Sequence, residues 1–347
     1  MADKKDHKFH YGGQAIIEGV MMRGPKDFAV AVRRANGEVV TTREDVESVM
    51  GRFKWLNRPF FRGTLALIDS MALGIKALKY SADIAMADAV DEEAAKTPTV
   101  ENAVDDPVVI DSKPDTAGKA SGSKVNDIAV GAMMVLGLVM GIAIFMMVPI
   151  LIVKPLRNII HVGWELTAIE GLIKITLFVG YVSLISLMKD IRRVFQYHGA
   201  EHKTINAYEA GVPLTVENVR NHSKEHVRCG TSFILVVLVT SIIVFMVVAD
   251  HLPYGSLANA NRISYLMRFI YKLALMPIVA GIAYEVIKFA GSRKDSILTK
   301  ILVAPGLLMQ KITTREPEPE MIEVAIKSLE SVLESEASHS EEVKASE

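Results

Sequence analysis

Cysteine is almost missing from this chain. Cys229 is the one cysteine in 347 residues, which excludes an internal disulfide. Aromatic residues are sparse, at 7%. No apolar core follows the start "MADKKDHKFHYGG", so no cleavable signal peptide is expected and the first apolar run would have to target the protein. No Gly-rich phosphate loop of the nucleotide-binding kinds occurs. A net charge of −1 gives no reason to expect a nucleic-acid partner. Nor is there an internal repeat of the length that builds solenoids or propellers.

Apolar residues are what the chain has in excess. They make up 50% of it, with a mean hydropathy of +0.27, and they concentrate in four runs: 128–153, 171–188, 233–249 and 263–289. A run of about twenty apolar residues crosses the hydrocarbon core as a helix. One such run also fits a buried helix of a soluble protein, but four in succession predict a multi-pass membrane protein. The fourth is interrupted by Lys272 and Pro277, and Lys272 is expected to snorkel or to pair within the bundle. Between the second and third runs lie Lys189, Arg192, Arg193, Lys203, Arg220, Lys224 and Arg228, whereas the stretch 251–261 has no Lys or Arg. Positive charge favours the cytoplasmic side. This predicts the cell (inner, cytoplasmic) membrane, with the histidine-rich connection and both termini in the cytoplasm, Cys229 on the reducing side, and the lipid bilayer as an obligatory partner.

The rest divides readily. Residues 1–60 read as a cytoplasmic β region, with "FAVAVRRANGEVVTTRE" forming a hairpin around Asn36-Gly37. Before it, "GGQAIIEGVMMRGP" reads as a strand or extended segment between turns. Residues 61–88 predict an interfacial or bundle-packing helix, with entry into the membrane left open. Residues 89–125, acidic and rich in Pro, Thr, Ser and Gly, predict a disordered linker. Residues 126–291 form the four-helix membrane domain, with its His-rich loop at 190–230. Residues 292–347 hold an amphipathic helix after Pro319 and a polar tail. The expected fold is therefore an α-helical multi-pass membrane protein with about four transmembrane helices, a small N-terminal β unit and a C-terminal amphipathic helix.

Two His-x-x-Glu-His stretches stand in the one polar connection: "HGAEH" at 198–202 and "HSKEH" at 222–226. On a helix, His198 and His202 are about 40° apart and one turn apart, so their rings share a face. Two such rings can hold one metal ion, with Glu201 placed to act as general base. His222, His226 and Cys229 repeat the pattern if that stretch is helical. Imidazole with thiolate suits a divalent metal ion, zinc first. Glu209 shares the His202 face but lies about 10 Å along the axis, so it would serve a second ion or support the first. Glu285, near the cytoplasmic end of the fourth run, is either a distant carboxylate ligand or a surface partner of Lys288. Glu18 and Arg23 are a candidate binding pair, with a structural role in the hairpin as the alternative. Solvated polar helices, a structural metal clip and a catalytic centre all remain open, because the latter two need the same ligands.

The stretches "GGQAIIEGVMMRGP", "RRVFQYHGAEHKTINAYEAG", "RCGTSF", "AGIAYEVIKFAG" and "PGLLMQKITTREP" resemble the YqhQ-like family, bacterial membrane proteins described as predicted metal-dependent enzymes. The resemblance implies membrane location and a metal site, which carry over to His198, His202, His222, His226 and Cys229. Glu225 looks like a local feature, and the 89–124 segment looks like an addition. The combined expectation is a membrane-embedded, cytoplasm-facing metal-dependent hydrolase acting on a lipid or a membrane-protein segment, with a homo-oligomer compatible. Its alternative is a non-catalytic integral membrane factor whose His/Cys loop is a structural metal or hydrogen-bonded clip used for partner binding. Ion transport is a third reading, disfavoured because few polar residues are visible deep in the runs.

Overall fold

The computed structural model describes residues 11–46, 61–96, 124–159, 163–249, 262–292 and 296–345. Four strands come first: β1 (Gly12–Ile16), β2 (Gly19–Arg23), β3 (Asp27–Arg33) and β4 (Val39–Asp45). They form one antiparallel meander in the order β1-β2-β3-β4. The β3–β4 turn falls at the expected Asn-Gly, with Gly37 at φ 88, a region that glycine reaches without strain. Glu18, in the β1–β2 turn, is at φ 50, a position a non-glycine residue holds only when its surroundings fix it.

The sheet is covered on both faces, which is why β2 and β3 are apolar at nearly every position. Ile16, Met21, Phe28, Val30 and Val32 face α1 (Phe61–Lys96), meeting Leu73 and Ala77. Val20, Met22, Ala29 and Ala31 face the other way, against α4 (Lys189–Glu209) and α9 (Pro319–Ala345). The alanines on that face let α9 come close, so that Ser328 Oγ donates to the Ala29 carbonyl at 3.1 Å. The first and last elements of the chain thus share one core.

Among the described residues, four helices are long and apolar enough to cross a membrane. They are α2 (Lys124–Val153), α3 (Gly163–Ile185), α6 (Gly230–Ala249) and α7 (Arg262–Ser292). A 3-10 turn at Lys154–Asn158 ends α2. Between α3 and α6 lie α4 and the short α5 (Val216–Arg220), and α8 (Ile297–Thr313) follows α7. The first turn of α1 reaches this bundle, where Thr64 Oγ1 donates to the Pro277 carbonyl of α7 at 3.1 Å.

Two expectations need correction. The segment 89–125 is not wholly a linker: α1 continues to Lys96, because six of the eight residues of "AVDEEAAK" are strong helix formers, and α2 begins at Lys124. The remainder, 97–123, lies outside the described residues. The polar tail is not a separate coil, since α9 runs to Ala345. A second amphipathic helix, α8, precedes it and packs along α6. Of the two courses open to Lys272, the structure shows the pairing: Lys272 of α7 is buried against Glu170 of α3.

Candidate metal centre

α4 is the element on which the centre is built. Asp190 in its first turn complements the helix dipole. Its end is a Schellman motif, with Gly211 at φ 71, Gly211 N–H donating to Tyr208 O at 2.9 Å and Val212 N–H to Ala207 O at 3.3 Å. Between these ends, residues 197–205 are buried between β1 and α9. A helix so placed holds its side chains fixed.

His198 and His202 project together, with ring centroids 4.4 Å apart. Their outer nitrogens are set by backbone carbonyls, which can only accept. His198 Nδ1 donates to Thr313 O at 2.8 Å, and His202 Nδ1 donates to Lys224 O at 2.6 Å. In the tautomer with its proton on Nδ1, each ring presents its Nε2 lone pair inward, the arrangement that backbone carbonyls behind the rings impose on metal-binding histidines. Cys229, just before α6, completes the group. Its Sγ is 3.2 Å from His198 Nε2 and 3.0 Å from Thr231 Oγ1.

The donor atoms of His198, His202 and Cys229 all lie within 4.8 Å of one another. In a tetrahedral zinc site, nitrogen and sulfur ligands sit roughly 3.6 Å apart, so the group needs little adjustment to close on one ion. A further feature points the same way. His202 Nε2 is buried and has no hydrogen-bond partner among the described residues, in a residue only 1% exposed. Such a group is unfavourable unless something binds it. Two imidazoles and a thiolate suit zinc or a neighbouring transition metal and fit magnesium or calcium poorly.

The other expected residues fall elsewhere. The second His-x-x-Glu-His is not helical: α5 ends at Arg220, and turns and bends lead from there to Cys229. His222 and His226 therefore do not share a helix face with Cys229. His222 Nδ1 donates back to Asn218 O at 2.9 Å, outside the trio. His226 is the nearer of the two, buried, with its ring centroid 5.6 Å from that of His202. Glu209 forms an ion pair with Arg228, which ties the end of α4 to the residue before Cys229. Glu285 lies half-buried in α7, a helix that packs on α1, α6 and α8, and is not one of the clustered donors. Glu18 pairs not with Arg23 but with Arg193 of α4, through bonds of 2.5 and 2.6 Å. It also accepts from Tyr197 Oη at 3.2 Å. Arg23 sits at the end of β2, opposite Gly12 and Phe28.

Glu201 is buried on the β1 side of α4, where a Cβ on Gly13 would lie 2.8 Å from its Cγ. Burial pushes its carboxyl from 4.5 up to about 7, opposed by the charge of His198 and by a hydrogen bond from the Gly13 N–H. A folded-state value above the unfolded one means that the protonated form stabilises the fold. That contribution is complete below about pH 4.5 and is lost as pH rises through about 7. In chelator-treated protein, wild type is expected to lose on the order of 3 kcal/mol relative to Glu201→Gln between those limits. Thermal midpoints of both proteins at pH 4.5 and pH 8 measure this, and parallel profiles would contradict it.

Gln310 has no counterpart among the expected residues. Fully buried in α8, its amide clamps the peptide of His226: Oε1 accepts from His226 N–H and Nε2 donates to His226 O, both at 2.8 Å. Nε2 also donates to Ser232 Oγ at 2.6 Å. The clamp fixes the loop that carries both the Lys224 carbonyl and Cys229. Gln310→Leu leaves buried peptide groups unpaired and is expected to cost about 3 kcal/mol, read as a lowered thermal midpoint, whereas Gln310→Glu retains part of the clamp.

Compared with known proteins, residues 58–335 match the model of a family described as "Protein of unknown function (DUF1385)". The chain is 35% identical over 327 residues to the uncharacterized protein YqhQ of Bacillus subtilis (strain 168), covering 94% of this chain and 93% of that one. No solved structure matches.

Proposed function

The chain belongs to the DUF1385 family of proteins of unknown function, and from that premise we propose a membrane-embedded, metal-dependent hydrolase. Its four long apolar helices cross the cell membrane. The sheet, α4 and α9 then lie in the cytoplasm, a reading supported by the lysines and arginines of residues 189–228. The observation that carries the reading is the buried, unpartnered His202 Nε2 beside His198 Nε2 and Cys229 Sγ. Three protein ligands leave a fourth position for water or substrate. Zinc bound there supplies Lewis acidity to a carbonyl or phosphoryl oxygen.

The chain's own residues do the rest. Thr313 O and Lys224 O hold the two rings in the tautomer that presents Nε2 inward. Glu201, one residue before His202 and buried beside His198, is the proton acceptor for the attacking water. The group lies between the apolar bundle and the cytoplasmic sheet, so the substrate is one that resides at the bilayer: a lipid or a membrane-protein segment.

A second reading has its own support. The three ligands are 9% exposed or less, and they and their anchoring carbonyls join α4, the loop before α6 and the end of α8. A metal there would act as a clip that fixes the cytoplasmic unit to the bundle for partner binding. Metal content of protein purified in mild detergent separates the readings from each other and from none. Wild type is expected to hold about one zinc per chain, and His198→Ala/His202→Ala about none. Glu201→Gln should keep the metal and lose turnover of membrane-lipid or peptide substrates if the centre is catalytic. Turnover equal to wild type would leave the clip. Metal-free wild type, even after zinc is added, would remove both.

A further inference from the structure

α3, α6 and α7 bring three charged side chains into one apolar contact, away from the centre on α4. Glu170 and Lys174 are one turn apart on α3, and Lys272 comes from α7. Glu170 Oε1 accepts from Lys174 Nζ at 3.0 Å and from Lys272 Nζ at closer range. Phe245 of α6 covers both ammonium groups, its ring centroid 5.9 Å from Lys174 Nζ and 5.6 Å from Lys272 Nζ. The close fit of α6 depends on Gly171, where any Cβ would run into Ile242. Glu170 and Lys272 are 8% and 6% exposed, so neither charge faces lipid. Val182 and Leu235, which pack with Met309, separate this contact from the histidines along α3 and α6.

The two helices are not equal partners. α3 carries its own balanced pair, one turn apart. The next acidic residue on α7 itself is Glu285, roughly 20 Å along the axis from Lys272. α7 is also interrupted by Pro277, and both α3 and α7 are less apolar than α2 and α6. An ionised group in a crossing helix is tolerated where it faces the bundle interior and is paired.

On the reading that these helices cross a membrane, we propose that Glu170 is the acceptor that admits α7 to the bundle. The carboxylate takes a second ion pair, neutralises Lys272, and makes the last crossing conditional on α3. The charges then predict an order among variants. Glu170→Leu removes the carboxylate that both ammonium groups contact. Lys272→Leu leaves the α3 pair balanced. Replacing all three by leucine leaves nothing to neutralise, and well-packed apolar residues commonly substitute for a buried ion pair without loss.

The test follows the side of the membrane on which α9 lies. Ser338, exposed on α9, is changed by Ser338→Cys in the full chain. Intact cells are treated with a membrane-impermeant maleimide, and the chain remaining in the membrane fraction is measured in parallel. With α7 crossed, Ser338→Cys and the native Cys229 both lie inside and stay unlabelled. Glu170→Leu is expected to raise labelling several-fold, or to cut the membrane-bound chain several-fold if the misplaced protein is degraded. Lys272→Leu and the triple leucine variant are expected to match wild type. Glu170→Leu indistinguishable from wild type would overturn the proposal. So would a triple variant as defective as Glu170→Leu, since the loss would then be one of packing rather than charge. Wild type in the soluble fraction would instead overturn the membrane reading itself.

Discussion

Cys229→Ser is expected to strip the proposed centre of most of the metal proposed for it, whereas His222→Ala leaves the content near the wild-type level. The two residues looked equivalent in sequence, each belonging to the second histidine stretch. In the fold only Cys229 has its donor atom within reach of His198 and His202, while His222 is bonded back to its own turn. Removing the thiolate takes away one of three ligands and the negative charge that offsets a divalent ion. Retained metal is expected to fall to about a tenth or less of wild type in buffer containing a weak chelator. Cobalt substitution gives an independent reading. The wild-type complex should show a sulfur-to-metal charge-transfer band, which Cys229→Ser removes and His222→Ala preserves. Equal metal loss in the two variants would mean that the ligand set is not the trio.

Gly199→Ala is expected to destabilise the protein although alanine is the better helix former. Propensity alone favours the substitution by about 1 kcal/mol. Against it stands the chain after α8, which crosses α4 so closely that a Cβ at position 199 would collide with the Arg315 carbonyl. That obstacle is backbone, held by Arg315 N–H donating to Phe195 O at 2.8 Å, and it cannot swing aside as a side chain would. Overpacking of this kind costs about 3 kcal/mol, so the clash outweighs the propensity. Displacing the crossing segment also pulls Thr313 O from His198, and loss of such an outer bond weakens metal binding by about 10- to 100-fold. Gly180→Ala, on α3 with nothing within 4 Å of its Cβ position, is the matched control and should be neutral or better. A Gly199→Ala protein with an unchanged thermal midpoint and unchanged metal affinity would contradict the account.

Residue type and spacing carried the parts of this structure that are local. The four apolar helices, the turn at Asn36-Gly37 and the His198/His202 pair follow from periods of twenty, two and four residues, and each is present. Continuity misled in two places. The helical spacing from His222 to Cys229 presumed a helix that ends at Arg220. The acidic composition after Asp88 hid a run of helix formers that extends α1 to Lys96. The parts that could not be read are those made by main-chain groups. Thr313 O and Lys224 O orient the two rings, and every residue has a carbonyl, so no side chain marks them. Gln310 and the identity of Glu170 as the partner of Lys272 were hidden because each meets partners 78 to 102 residues away.

The packing of α9 against the sheet sets a rule of parity. Ala29 and Ser328 touch through a hydrogen bond, so residues near the two ends of the chain occupy the same compartment. A chain that starts and finishes on one side of a bilayer must cross it an even number of times. On the proposed membrane reading, four crossings by the long apolar helices α2, α3, α6 and α7 satisfy this, and a lone fifth by α1 would not. On that reading α1, although its first turn reaches the bundle at Pro277, stays on the side of the sheet. Any bond that keeps the sheet on α9 also constrains, on that reading, the passages between them to an even number.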